Sequence, residues 1–226
     1  MLWYDFPLLC AMKPLSILVR HGESALNRSN REAPEIVTGR TDTPLTTFGE
    51  AQACEAGRHL AHVPLAIAIS SPLIRARRTA ELALHQHPHP PSLFICPNFT
   101  ERSLGGFEGR AMDALRTEHP EYFTDPVRMH WRAHFEQNAP GGENLTQVER
   151  RVCDGYALLA GRLPDEHLVI FSHLMALRCL LAQLLSLPRE EVPRLVIPNA
   201  TPIIVERTHP PKLVGAFTIK HLRAQI

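Results

Sequence analysis

The sequence is poor in lysine. Lys13, Lys212 and Lys220 are the lysines among 24 Lys+Arg residues, so arginine carries nearly all the positive charge. Most of that bias reads as coding composition. Net charge is only +1, which gives no general attraction to nucleic acid or to a membrane surface. Cysteine is sparse as well. Cys10, Cys54, Cys96, Cys153 and Cys179 are scattered, odd in number and never spaced as CxxC. That excludes a disulfide framework and a zinc knuckle, and points to a reducing, cytoplasmic setting. No apolar run approaches the roughly 20 residues that span a bilayer. Residues 1–11 are apolar and aromatic but carry neither a basic leader nor a cleavage site. With Met12 as an alternative start, residues 1–13 are expected to be an extension ahead of one domain over 14–226. Internal repeats and low-complexity tracts are missing too. The most biased segment, 85–91, alternates histidine with proline and contains no cysteine or carboxylate. An exposed proline-rich loop is expected there rather than a metal site.

What is present suits one α/β domain. Apolar residues make up 44% of 226, enough for a core, and charged residues 21%. Strand-like runs lie at 16–20, 66–70, 93–96, 168–172, 202–206 and 213–219. Helical patterns separate them. Thr47 and Glu50 have capping-box spacing for a helix over 47–62. Ser71-Pro72 supplies an N-cap and an N1 proline for a helix to 84, with Leu73, Ala76, Ala80 and Ala83 on one face. Asn144 and Gln147 cap another, whose stripe is Leu145, Val148, Val152, Tyr156 and Leu159. A last helix, capped by Ser172, carries Leu177, Leu180, Leu181, Leu184 and Leu185. Alternating strands and helices predict a three-layer α/β/α domain with a mostly parallel sheet. The last two runs predict an antiparallel edge hairpin. Residues 100–143 interrupt the alternation. With Phe107, Tyr122, Phe123, Trp131 and Phe135, they read as an inserted cap over one rim of the sheet.

The chemistry concentrates at predicted strand ends. The run Ile17-Leu18-Val19 leads straight into Arg20 and His21, and Gly22 lets the chain turn away. Arg75 opens the helix after the second strand, Glu101 follows the third, and His173 follows the fourth. Parallel strands bring such ends to one rim, where ligands of open α/β sheets bind. Guanidinium forks match phosphate oxygens, and a neutral imidazole can attack phosphorus. Each residue alone has a dull reading: Arg75 lies beside Arg77 and Arg78 on a charged helix, and His173 is one of 13 histidines. Their coincidence at one rim carries the weight.

Arg20-His21-Gly22-Glu23-Ser24, with Asn27, resembles the signature of the histidine phosphatase superfamily, which includes the cofactor-dependent phosphoglycerate mutases. Residues 39–46 (GRTDTPLT), 70–76 (SSPLIRA) with Thr79-Ala80, 101–109 (ERSLGGFEG), Gly141-Gly142-Glu143 and Ser172-His173 are similar to its later motifs. The resemblance implies a phosphotransfer enzyme with His21 as nucleophile and Glu101 as proton donor. Arg20, Arg75 and His173 would hold the phosphoryl group. Asn27, Ser24, Thr38 and Gly39 complete the implied phosphate site. No metal and no cofactor are implied, since the arginines supply the charge. The implied partner is a small phosphorylated molecule, with no nucleic acid and no membrane, and at most a second copy of the chain as a homodimer.

Two departures shape the expectation. Where the family commonly has glycine or another small residue after the second histidine, this chain has Leu174-Met175, which predicts a narrowed pocket. Phe107 stands where tryptophan is frequent. Mutases of the family resemble one another in a tyrosine shortly after the proton donor and a larger basic insertion. Here Leu104 takes the tyrosine's place and the insertion lacks lysine. A phosphomonoesterase is therefore expected ahead of a phosphoglycerate mutase, and either ahead of a non-catalytic phosphate-binding module. Arg128, Trp131 and Arg132 are candidate specificity contacts in the cap.

Overall fold

The computed structural model describes residues 13–32, 34–123 and 134–214. Six strands form one sheet in the order β3-β2-β4-β1-β5-β6: β1 Leu15–Arg20, β2 Leu65–Ser70, β3 Leu93–Ile95, β4 His167–Ser172, β5 Ile203–Glu206 and β6 Lys212–Val214. The first four strands run parallel, while β5 pairs antiparallel to β1 and β6 antiparallel to β5. The expected hairpin is therefore the sheet's antiparallel edge. The part of the sixth predicted run beyond Val214 lies outside the described residues, as do residues 1–12 of the extension and Arg128, Trp131 and Arg132.

The strands are apolar on both sides because both faces are covered. Leu15, Ile17 and Val19 of β1 join Val169 and Phe171 of β4 in one cluster, with Leu60, Ala80 and Ala83. The alternate residues Leu18, Leu168 and Ile170 face the other way, into Val148, Val152, Leu177 and Leu181. This period-two sorting places α2 (Thr47–Leu60) and α3 (Ile74–His85) on one face. It places α5 (Leu145–Arg162) and α6 (Leu174–Leu184) on the other. Fully burying one such aliphatic side chain contributes about 1.5–3 kcal/mol, so the sheet's alternation is the main stabilising pattern. Two short helices, α1 (Ala25–Ser29) and α4 (Met112–Glu118), lie in the loops at the rim.

Several helix starts differ from the sequence expectation. The N-cap of α2 is Thr46, whose Oγ1 accepts the Gly49 N–H at 3.0 Å, not Thr47. Helix α3 starts at Ile74 with Leu73 at its N-cap; Ser71 Oγ accepts the Leu73 N–H at 3.3 Å and lies 2.7 Å from His173 Nε2, while the Ile74 N–H goes to Asp42 Oδ1 at 2.9 Å. Ser172 does not cap α6; its hydroxyl donates to the Phe99 carbonyl at 2.6 Å, and His173 is the N-cap residue. Asn144 and Gln147 form the capping box expected of them at the start of α5.

Within the 100–143 interruption, Phe107, Met112, Leu115 and Ala139 pack with Val37 in a separate small core, flanked by Tyr122 and Phe123. Phe135 instead packs against the main core, under the Arg189 guanidinium. In the histidine-rich loop, His87 is buried. Its Nε2 meets the Val63 carbonyl at 2.8 Å and its Nδ1 accepts the His89 N–H. Two ring nitrogens spent on backbone leave that residue a loop clamp. Among the described residues no helix is long and apolar enough to cross a membrane.

Candidate active site

Sheet geometry brings the candidate residues together. The C-terminal ends of β1, β2 and β4 lie side by side, with Arg20 paired to Ser172 and Ser70 to Phe171. Beyond them opens a cavity of about 260 Å³ lined by Arg20, His21, Asn27, Thr38, Gly39, Arg75 and Glu101 from the sequence-derived set.

His21 is 4% exposed. Its Nδ1 lies 2.7 Å from the Gly22 carbonyl oxygen. A carbonyl only accepts, so Nδ1 carries the hydrogen and Nε2 keeps its lone pair. Burial first, then the charges of Arg20 and Arg75, hold the imidazole well below its ordinary 6.5. Gly22 is required by crowding rather than by the turn. A Cβ there would stand 2.3 Å from the Gly49 carbonyl oxygen on α2.

Arg75 is 1% exposed and bonded to the loop opposite: Nη1 to the Thr41 carbonyl and Nη2 to the Gly39 carbonyl, both at 2.9 Å. Arg20 Nη1 donates to the Ile197 carbonyl at 3.0 Å. The Nε atoms of both arginines are buried without a hydrogen bond in the protein, as is His173 Nδ1. Buried polar atoms are normally paired, so the two unpaired guanidinium N–H groups, on arginines that both line the cavity, mark a place built for a polar guest.

Glu101 reaches the cavity on a braced backbone. Its carbonyl accepts from Arg40 Nε at 2.9 Å and Arg151 Nη2 at 3.1 Å. Both guanidiniums are in turn held by the Glu143 carboxylate, which also accepts the Ser103 N–H at 3.0 Å. Burial pushes the Glu143 carboxyl up, but Arg151, Ser103 and Arg40 outweigh it and leave it below its ordinary value. The Glu101 carboxylate itself accepts the Arg102 N–H at 2.7 Å and the Met175 N–H at 3.4 Å.

Two members of the expected set sit elsewhere. Ser24 is fully buried and does not line the cavity. Its hydroxyl accepts the Asn27 N–H while Asn27 Oδ1 accepts the Ser24 N–H, so the pair closes the start of α1 and aims Asn27. His173 lies behind His21, ring centroids 5.2 Å apart, with Nε2 bound to Ser71 Oγ at 2.7 Å. It too is held well below 6.5, by burial and then by Arg75. Sequence reasoning missed Arg178. It lines the cavity from α6, where burial brings its guanidinium down to about 10. The only available signal was an arginine interrupting a leucine-rich helix. Leu174 and Met175, singled out as departures, do line the cavity.

A neutral imidazole with a free Nε2, flanked by two buried guanidiniums and a carboxyl, is suited to attack an electrophile that carries negative oxygens. Comparison with known proteins agrees. Residues 16–217 match the model of the histidine phosphatase superfamily, branch 1. The chain is 31% identical over 198 residues to a 2,3-bisphosphoglycerate-dependent phosphoglycerate mutase of Methylobacterium radiotolerans, covering 85% of this chain and 89% of the relative. It is 29% identical to an uncharacterized phosphatase of Bacillus subtilis over 167 residues, 74% of this chain and 75% of that one. The alpha-ribazole phosphatase structure of Shigella flexneri superposes with a TM-score of 0.75 at 25% identity, covering 89% of this chain and 95% of its own. The enclosed imidazole, the guanidiniums around it and a match over nearly the whole length place the chain in the histidine phosphatase superfamily.

Proposed function

We propose that the protein is a phosphomonoester hydrolase that works through a phosphohistidine at His21. The observation that carries this reading is the hydrogen bond from His21 Nδ1 to the Gly22 carbonyl, which leaves Nε2 as the free nitrogen among Arg20, Arg75 and Glu101. In the first step Nε2 forms a bond to phosphorus and the ester P–O bond breaks. The Glu101 carboxyl gives its proton to the departing alkoxide oxygen. In the second step Glu101 takes a proton from water, the resulting hydroxide oxygen bonds to phosphorus, and the P–N bond breaks. Inorganic phosphate leaves and His21 is neutral again. Arg20 and Arg75 bind phosphoryl oxygens and stabilise the charge spread over them in both transition states. Asn27 adds a neutral donor, and Thr38 and Gly39 line the same space. His173 has Nε2 spent on Ser71, so Nδ1 is its remaining nitrogen for the oxyanion.

Hydrolysis is favoured over mutase chemistry by Leu104, which lines the cavity where the mutases resemble one another in a tyrosine. Incubation with p-nitrophenyl phosphate tests the first claim. Release of phosphate by the native chain and none by His21→Ala is expected, with acid-labile phosphate trapped on the native chain only. Incubation with 3-phosphoglycerate, with and without a bisphosphorylated primer, tests the second. Isomerisation faster than phosphate release would make the protein a mutase.

A further inference from the structure

We propose that the cavity beyond the phosphate site is an apolar leaving-group subsite, and that the preferred substrates are phosphate monoesters of alkyl or aryl alcohols. This deepens the hydrolase reading and rests on it. Ile36, Leu104, Leu174, Met175 and Pro193 line the part of the cavity not formed by the phosphate-facing residues. They come from four separate segments, the loop before Val37, the loop after Glu101, the first turn of α6 and the turn containing Pro193. None of the five is fully buried, so each presents surface at the cavity while its remainder packs into the protein. Leu174 and Met175 rest on the main core and Leu104 on the small core.

The polar residues interspersed with them, Asn30, Glu35, Arg102 and Arg178, are engaged by the protein. Asn30 Oδ1 accepts the Ile36 N–H at 2.9 Å and its Nδ2 donates to the Ile36 carbonyl at 2.8 Å. Arg102 is 1% exposed, with Nε on the Glu143 carbonyl and Nη2 on the Gln137 carbonyl. Arg178 gives Nε to the Leu195 carbonyl at 2.6 Å and Nη1 to Met175 Sδ at 3.4 Å. A polyhydroxylated alcohol entering this wall would shed water from its hydroxyls and find few partners, which is unfavourable. An alkyl or aryl group would exchange water for Leu174, Met175 and Ile36, which is favourable. Unbranched Met175 also adapts to varied shapes. The side chain at 174 therefore reads the alcohol, since a small residue there would remove part of the apolar wall.

The test is a series of phosphate esters assayed by phosphate release: n-propyl, n-butyl and n-hexyl phosphate, glycerol 3-phosphate and 3-phosphoglycerate. The hydroxyls of glycerol make it the better leaving group, so intrinsic reactivity opposes the expected order. Expected is a rise in kcat/KM of about fourfold per added methylene until the wall is filled, with n-propyl phosphate above glycerol 3-phosphate. Leu174→Gly should flatten that rise, leaving n-hexyl phosphate no better a substrate than n-propyl phosphate. A flat alkyl series, with phosphate still released, would overturn the subsite and leave the hydrolase reading standing. Higher kcat/KM for 3-phosphoglycerate than for n-propyl phosphate would overturn it also, and would make Arg178 a reader of a second anion. No release from any ester would remove both readings.

Discussion

The Thr79 hydroxyl accepts the Gly22 N–H at 3.0 Å and donates to the Arg75 carbonyl at 2.7 Å. One buried side chain thus ties the loop that carries His21 to the helix turn that carries Arg75. The Gly22 N–H belongs to the peptide that follows His21 directly, so its direction sets where the imidazole points. Thr79→Val keeps the shape and removes both bonds, leaving a buried N–H unpaired at about 1–3 kcal/mol. The expected result is a kcat lowered about tenfold with KM changed little, restored by Thr79→Ser. A loss of thermal stability with kcat unchanged would reduce Thr79 to a packing residue.

Glu143 ought to govern proton donation without touching the cavity. It holds Arg40 and Arg151, and both hold the Glu101 carbonyl. Glu143→Ala releases that clamp and lets the Glu101 carboxyl drift from the leaving oxygen. Alkyl phosphates need protonation to depart, whereas p-nitrophenolate hardly does. The variant should therefore lose at least about tenfold on n-butyl phosphate and much less on p-nitrophenyl phosphate, as Glu101→Ala should more strongly. Equal losses on both esters from Glu101→Ala would take the acid role away from it.

The strand ends and their cargo were legible because each lies next to its strand in the chain. Arg20 and His21 end an apolar run, and parallel pairing does the rest. Helix starts were less legible, because competition for one side chain is a tertiary matter. Ser71 could cap α3 by pattern, yet its oxygen reaches only the Leu73 N–H and is shared with His173, 102 residues on, while the first helical N–H, that of Ile74, goes to Asp42. Ser172 similarly goes to the Phe99 carbonyl. Ser24 looked like a phosphate ligand because its motif is adjacent to His21, but local geometry spends it on α1. Arg178 was invisible for the converse reason. An arginine in an apolar helix announces no target until the cavity wall is folded around it. The order of causes behind the His21 shift also needed the fold, since burial cannot be read from neighbours in sequence.

Buried neutral histidines make stability depend on pH. His21 and His173 are each held well below 6.5, chiefly by burial. In the unfolded chain they take protons as the pH falls through about 6.5, while in the folded chain they do not. Protons thus bind the unfolded state preferentially, so stability is whole above pH 6.5 and is lost as the pH drops below it. Each contributes up to about 1.4 kcal/mol per pH unit in that range. Urea unfolding at pH 7.5 and 5.5 should show the native chain losing about 1.4 kcal/mol more than His173→Gln over the interval. Equal losses in the two proteins would mean that His173 takes a proton while folded.

Gly39 links backbone strain to phosphate binding. Its φ is +48°, and an added Cβ would stand 2.5 Å from Glu108 Oε1. Its carbonyl holds Arg75 Nη2. Gly39→Ala therefore meets two obstacles, a left-handed conformation costing about 1 kcal/mol and a carboxylate that must move. Glu108 is itself anchored, accepting the Leu104 N–H at 2.7 Å, so the loop is the softer of the two. Its displacement takes the carbonyl from Arg75 and lets the guanidinium swing. With Arg75 in its proposed role, binding the phosphoryl group in ground and transition states alike, KM for p-nitrophenyl phosphate should rise several-fold and the inhibition constant for inorganic phosphate should rise with it. Glu108→Ala in the same chain relieves the clash but not the backbone conformation, so it should recover part of the loss. Unchanged phosphate inhibition in Gly39→Ala would show that Arg75 keeps its place without that carbonyl.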